Sequence, residues 1–214
     1  MADGDSTVTI TYRPTPTAAQ FHASQADVRG LRGPIGSGKS VACVMEIVAQ
    51  AMRMPAQKDG VRRSRWIAIR NTYPELVSTT LETWHKWFPM AKTVLGAPIK
   101  SRLVLPLPDG TTMELQLWFL SMDKHKDKRK LKSLDATGAW LNEASELSKE
   151  TLDMATGRVA RYPSKIDCPT YRSSIIMDTN PPDVDHWWYH LAEVERPTGY
   201  EFFAQPPAII KRRE

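Results

Sequence analysis

Gly33-Pro34-Ile35-Gly36-Ser37-Gly38-Lys39-Ser40 fits the pattern G-x-x-x-x-G-K-[ST], the phosphate-cradling loop of nucleoside triphosphatases. Its surroundings suit it. Val28 to Leu31 can finish a short buried strand, and Val41-Ala42-Cys43-Val44-Met45-Glu46-Ile47-Val48 can open an apolar helix. A loop so placed turns successive backbone N–H groups and a helix N-terminus toward an anion. Its glycines let the backbone approach the phosphates closely. Lys39 would reach the β- and γ-phosphates, and the Ser40 hydroxyl would ligate Mg²⁺. The pattern therefore predicts that Gly33, Pro34, Ile35, Gly36, Ser37, Gly38, Lys39 and Ser40 bind a nucleotide, with ATP as substrate and Mg²⁺ as cofactor.

The chain has 214 residues, enough for one good-sized domain or one with a small appendage. Hydrophobic residues at 41% can supply a buried core, and a net charge of +5 is compatible with a polyanionic partner without identifying one. No apolar run approaches a membrane span, and Met1-Ala2-Asp3-Gly4-Asp5 lacks the regions of a signal peptide. Cys43 and Cys168 lie far apart without metal-ligand spacing, and read as reduced cysteines of a cytosolic protein.

Residues 1–25 read as an entry segment, with a short strand over Val8-Thr9-Ile10-Thr11-Tyr12 and a short helix over Thr17–Ala23. The loop helix is expected from Lys39 to about Met54, a surface loop from Pro55 to Arg63, and a buried strand over Arg65–Arg70. A helix from Pro74 to about Phe88 follows, then a hairpin over residues 101–121 turning at Pro108-Asp109-Gly110. A basic run from Lys124 to Lys132 precedes a buried strand, Gly138–Leu141. A helix over Ser148–Ala160 with Ser148 as cap, a strand over Ser173–Met177, a helical segment over Asp185–Glu193 and a last strand over Tyr200–Ala204 complete the pattern. Strands alternating with helices after a phosphate loop imply a three-layer α/β domain with a mostly parallel sheet.

Hydrolysis needs a group that activates water and an acidic group near Mg²⁺, both expected at the ends of neighbouring strands. Ala139-Trp140-Leu141-Asn142-Glu143 is an apolar run ending in Asn-Glu. Glu143 is the candidate catalytic carboxylate. Asn142 stands where an Asp is usual; its amide oxygen can accept from a Mg²⁺-bound water but carries no charge. Glu146 is the nearest rival carboxylate, assigned to the following helix. The next strand ends in Asp178-Thr179-Asn180-Pro181-Pro182, where Thr179 or Asn180 would sense the γ-phosphate and the prolines would stiffen the exit; a plain turn describes the same residues.

Taken in order, these motifs resemble the ATPase domain of the large terminase subunit of tailed bacteriophages, the motor that packages DNA into procapsids. The resemblance rests on the phosphate loop, Ile-Arg-Asn-Thr-Tyr-Pro-Glu-Leu, Ala-Trp-Leu-Asn-Glu-Ala and Asp-Thr-Asn-Pro-Pro, and runs from about Tyr12 to Ala208. It implies a P-loop NTPase fold of the additional-strand, catalytic-glutamate type, with residues 26–208 as the ATPase domain. It places Gln20 on an adenine-contact motif, with Tyr12 or Arg13 near the base, and Asn180 on a coupling motif. It implies double-stranded DNA, a portal protein and a small terminase subunit as partners, a homo-oligomeric ring on the procapsid from a protein monomeric in isolation, and the host cytoplasm as location. This chain departs from the family in Asn142 and in Pro34-Ile35, where an arginine is frequent; Arg32 is displaced by one glycine. Glu214 comes too soon for the family's metal-dependent nuclease domain, so residues 209–214 read as linker or vector residues and no nuclease activity is expected.

Arg129, Arg158 and Arg161 are candidate transition-state arginines; the last two, three apart, are expected on one helical face. The resemblance favours Arg129, acting in trans, with Lys132 as a substitute. The basic run would equally suit DNA phosphates. The Trp residues, Trp187-Trp188 included, read mainly as core. Two other readings stand beside the motor: one half of a helicase, and a nucleotide-gated binding module that Asn142 has deprived of hydrolysis.

Overall fold

The computed structural model describes residues 10–123 and 125–207. Its core is an eight-stranded sheet in the order β3-β4-β5-β2-β6-β7-β1-β8. The strands are β1 (Val28–Arg32), β2 (Val61–Arg70), β3 (Lys92–Val94), β4 (Ile99–Pro106), β5 (Thr112–Ser121), β6 (Gly138–Asn142), β7 (Ser174–Thr179) and β8 (Tyr200–Ala204). From β5 across to β8 every pairing is parallel. Only β4 and β3 run against their neighbours. The parallel block puts the carboxyl ends of β1, β2, β6 and β7 on one edge, where open α/β sheets bind ligands.

Alternation along the strands builds a core on each face. Trp66, Ala68 and Trp140 face one cluster together with Phe21 of α1 (Pro16–Ala23) and Ala42, Val44 and Ile47 of α2 (Lys39–Met52). Ile67, Ile69, Leu141 and Met177 face the other, with Leu131 of α5 (His125–Lys132) and Leu152 of α6 (Lys149–Thr156). The result is the three-layer arrangement that the pattern implies. Trp66, Trp84, Trp140 and Trp188 are fully buried, as core residues should be. Among the described residues no helix is long and apolar enough to cross a membrane.

Several local expectations need correction. Ile10 to Tyr12 form no strand, and Val8 and Thr9 lie outside the described residues, as do residues 208–214 and Lys124. Strand β2 starts at Val61 rather than Arg65: Arg62 and Arg63 turn their charges to Asp109 and Asp59 while their backbone pairs with β5. The helix after β2 is α3 (Tyr73–Glu75), a π-helical stretch Leu76–Leu81, and α4 (Glu82–Trp87). Thr72 and Glu75 open it as a reciprocal cap, the hydroxyl donating to Glu75 Oε2 at 2.8 Å and accepting from Glu75 N at 3.4 Å. Asp185–Glu193 becomes the short α7 (Trp187–Tyr189) and a π-helical stretch, His190–Glu195.

Helix α6 stops at Thr156, before Gly157, and not at Ala160. Arg158 and Arg161 therefore share no helical face. The chain there is held to the entrance of β6: Ala136 N donates to Arg158 O at 3.0 Å and Arg161 N to Ala136 O at 3.0 Å. Ser148 occupies the cap position of α6, but its hydroxyl meets Thr151 Oγ1 at 3.2 Å rather than a backbone N–H.

Candidate nucleotide and catalytic site

Strand β1 delivers the chain to Gly33, whose N–H donates to Thr179 O at 3.1 Å on β7. A Cβ at Gly33 would lie 2.7 Å from Gln205 O and 3.0 Å from Ser37 Oγ, so only glycine passes. Gly36 and Gly38 have φ of 75° and 85°, the left-handed region where glycine carries no steric cost. Gly38 is the N-cap of the 14-residue α2 and no side chain caps that end. Its first N–H groups are thus left for an anion. Lys39 is buried, its Nζ donating to Pro34 O at 2.9 Å and to Asn180 Oδ1 at 3.2 Å. Ile35 points to solvent, 89% exposed, so within the loop it serves through its backbone.

The ends of β6 and β7 meet directly below. Asn142 pairs in register with Asp178. Ser40 Oγ donates to Asp178 Oδ2 at 2.7 Å, Trp140 Nε1 to Asp178 Oδ1 at 2.7 Å, and Asn142 Nδ2 to both carboxylate oxygens at 3.0 and 3.1 Å. Because the carboxylate only accepts, the Asn142 amide can face it only with its nitrogen. The Asn142 oxygen is turned to Thr80 Oγ1, which donates to it at 2.6 Å. This oxygen, the expected acceptor for a metal-bound water, thus already holds one partner, and the Asn142 nitrogen is the atom that meets Ser40, donating to its Oγ at 3.4 Å.

Glu143 follows in a left-handed conformation, φ 49° and ψ 58°, rare for a residue with a Cβ and held only where the surroundings enforce it. Its Oε2 accepts from Asn180 N at 3.2 Å. Burial, then the charge of Asp178, pushes its carboxyl above the ordinary glutamate value, against the opposing pull of Lys39, the Asn180 N–H and Arg70. Asn180 thus touches both Lys39 and Glu143. Thr179 faces elsewhere, its Oγ1 donating to Ser145 Oγ at 2.7 Å and accepting from Ser145 N at 3.2 Å, which steadies the turn carrying Glu143. Glu146 ends that turn (Ala144–Glu146) and is not part of α6. It pairs with Arg70 at 3.3 Å. Ser40, Arg70, Thr79, Thr80, Thr83, Asn142 and Glu143 line one cavity of about 100 Å³.

A second cavity of about 230 Å³ adjoins the loop, lined by Tyr12, Arg13, Thr15, Ala18, Ser37, Gly38, Val41, Trp87 and Gln205. Tyr12 and Arg13, expected near the base, are among these lining residues; Gln20 is exposed on α1 and is not among them. Its side of the helix faces solvent because Ala18 and Phe21 take the buried face.

A family model and solved structures place the chain among known proteins. The family model described as phage terminase large subunit matches residues 26–195. The chain belongs to that family. The structure of the large terminase of a thermophilic bacteriophage superposes with a TM-score of 0.67 at 11% identity, over 90% of this chain and 46% of that one. The same phage's protein in complex with ADP gives 0.63 at 12% identity over 89% and 44%. The ATPase domain of the Thermus phage P74-26 large terminase gives 0.56 at 16% identity over 90% and 81%. The chain spans less than half the length of the first two. No curated protein matches it by sequence. These likenesses establish the fold, a P-loop NTPase fold with a mostly parallel sheet.

On this terminase fold the remaining candidates scatter. Arg129 and Lys132 are exposed on α5, and the Lys126 side chain lies outside the described residues. Arg158 and Arg161 sit beside Ala136, at the amino end of β6, the edge opposite Glu143. Five strand residues at about 3.3 Å each separate the two ends. Three residues at the site escape sequence reasoning in this role. Asp178 is visible as the acidic end of a buried strand, next to an uncharged Asn142. Arg70 closes β2, only 7% exposed, and its Nε and Nη1 find no hydrogen-bond partner among the described residues. Gln205 joins the last strand to the loop: its Nε2 donates to Ser37 O at 3.0 Å and its Oε1 accepts from Thr15 Oγ1 at 2.9 Å. Nothing local in the sequence marks it.

Proposed function

We propose that this chain is the ATP-hydrolysing motor domain of a DNA-packaging terminase, translocating double-stranded DNA into a procapsid. The observation that carries the reading is the convergence of Lys39, Asn180 and Glu143 at the uncapped end of α2. Triphosphate oxygens lie against the loop N–H groups and draw Lys39 Nζ from its protein acceptors. Glu143 orients the attacking water and takes its proton; a carboxyl raised by burial is a better base at neutral pH than an ordinary glutamate. Tyr12, Arg13 and Trp87 receive the base. Oxygen donors around Ser40 fit Mg²⁺, which favours carboxylate, hydroxyl and phosphate ligands. Bound there, Mg²⁺ would neutralise charge developing on the phosphates.

Residues 26–208 form the ATPase domain in this reading, with Tyr12, Arg13, Thr15 and Ala18 of the preceding segment contributing to the base pocket. The thermophilic-phage terminase in complex with ADP supports a nucleotide as ligand. A portal protein and a small terminase subunit as partners, a homo-oligomeric ring and the host cytoplasm as location belong to the same proposal, which membership of the family supports. In a ring, Arg129 would complete the neighbour's site from an exposed helix.

Phosphate release from Mg·ATP tests the reading. Wild-type protein should turn over, faster per chain as concentration rises, and Lys39→Ala should abolish nucleotide binding or turnover. Binding without turnover at any concentration would favour a gated binding module. Stimulation by single-stranded DNA alone would favour a helicase half.

A further inference from the structure

We propose that Asp178, on β7, is the carboxylate that supplies the negative charge of the Mg²⁺ site, replacing the β6 position that Asn142 occupies. The proposal rests on the nucleotide-binding reading above and assigns the part which that reading leaves open.

Three observations carry it. First, Asp178 is fully buried, yet its contacts come from neutral groups: Ser40, Trp140 and Asn142. Among the described residues no lysine or arginine pairs with it. A buried carboxylate without a cation is costly to keep, and its cost is repaid when a cation arrives. Second, the contact with Ser40 is the one a metal site needs. The hydroxyl gives its proton to Asp178 Oδ2 and accepts from Asn142 Nδ2 at 3.4 Å, so one lone pair remains for a cation while the carboxylate charge lies one bond beyond. Third, Asn142 stands directly across from Asp178 in register and donates to both its oxygens. An aspartate at 142 would set two carboxylates face to face, each raising the free energy of the other's charged form. Asn142 is then a positioning residue: with Thr80 holding its oxygen, its nitrogen fixes the plane of Asp178. The acidic charge has moved one strand along the sheet, and the amide is the complement of that move.

The test measures ATP affinity by fluorescence titration with a labelled analogue, in EDTA and in excess Mg²⁺, together with Mn²⁺ bound in the presence of ADP by electron paramagnetic resonance. Wild-type protein should bind more tightly with Mg²⁺. Asp178→Asn should keep the EDTA affinity and lose about 10- to 100-fold of the metal-dependent affinity, along with the Mn²⁺ signal. The exchanged pair Asn142→Asp with Asp178→Asn should recover both. Glu143→Gln should retain both, which separates this role from that of the catalytic carboxylate and stands even if Asp178→Asn fails to fold. Undiminished Mg²⁺ dependence in folded Asp178→Asn, or its loss in Glu143→Gln, would overturn the proposal and leave the nucleotide site standing. Wild-type protein that bound no ATP under either condition would remove the nucleotide reading and the proposal together.

Discussion

Glu46 and Asp178 are both fully buried and both meet α2, but their surroundings differ in kind. Glu46 lies in the middle of the helix and is met by cationic and neutral donors: Arg29 Nη2 at 2.9 Å, His22 Nδ1 at 2.7 Å and Gln50 Nε2 at 2.8 Å. Burial alone would push its carboxyl up; these donors outweigh burial and hold it below the ordinary value. Asp178, at the first turn of the same helix, has neutral donors only. One carboxylate is balanced inside the protein and fastens α1, α2 and β1 together. The other is oriented but not balanced, beside the loop where a polyphosphate and its cation would arrive. Burial alone therefore does not tell a structural charge from a functional one; the sign of the neighbours does.

The largest effect that would sharpen this contrast is at Glu143, the third carboxylate. Glu143→Gln should slow ATP turnover by about 10²- to 10⁴-fold, read as phosphate release, with nucleotide binding kept. Its stability should move the other way. A raised folded pKa means that Glu143 contributes stability below the ordinary glutamate range and loses it as pH rises through the raised value. The amide removes that loss, so the melting temperature at neutral pH should hold or rise slightly. A clear fall would mean that Glu143 is structural, like Glu46.

Glu46→Gln should do the reverse. It leaves Arg29 fully buried without a counter-charge, which costs about 3–5 kcal/mol when a buried pair is broken. Denaturant unfolding would measure it, and ATP affinity of the folded fraction should stay near wild type. Because the folded pKa of Glu46 is depressed, its contribution is complete above the ordinary glutamate value and is lost as pH falls through the folded one. The wild-type advantage over Glu46→Gln should therefore shrink in acid.

A smaller change is expected at Gln205. Gln205→Ala removes the bond to Ser37 O and leaves that carbonyl without this donor, a cost of about 1 kcal/mol, and should weaken ATP binding several-fold by calorimetry. Gln20→Ala, on the exposed side of α1, should leave affinity unchanged. The smallest effects are expected at Arg158 and Arg161. Their alanine variants should keep wild-type turnover, whereas Arg129→Ala should bind ATP and depress wild-type protein mixed with it. Lost turnover in Arg158→Ala or Arg161→Ala alone would mean that the amino edge of β6 also touches the chemistry.

What the sequence makes legible follows the distance over which each signal acts. The phosphate loop, α2 and Glu143 are written in contiguous residues, so pattern and position agree with the fold. The hairpin β4–β5 is legible because its turn and its alternation are local. Strand β3 is not: three residues with an exposed, half-buried, exposed profile carry no periodic signal. Asp178 needs the parallel register of β6 with β7, and Gln205 needs β8 to lie beside β1; both pairings join distant parts of the chain. The apolar pattern overextends α6 although Gly157 marks its end, because Val159 and Ala160 continue it past the stop.

The two hydrogen bonds of Lys39, to Pro34 O and Asn180 Oδ1, have a thermodynamic consequence. A phosphate reaching that ammonium enters by exchange, displacing acceptors the protein already provides. Its measured affinity is the difference between two sets of contacts, so the loop can be specific for a doubly charged terminal oxygen group without being exceedingly tight. The displaced acceptor also has a second attachment, since the backbone N–H of Asn180 holds Glu143. In the proposed reading, release of its side chain would be felt at Glu143, and the readiness of that carboxylate would depend on what the lysine is holding.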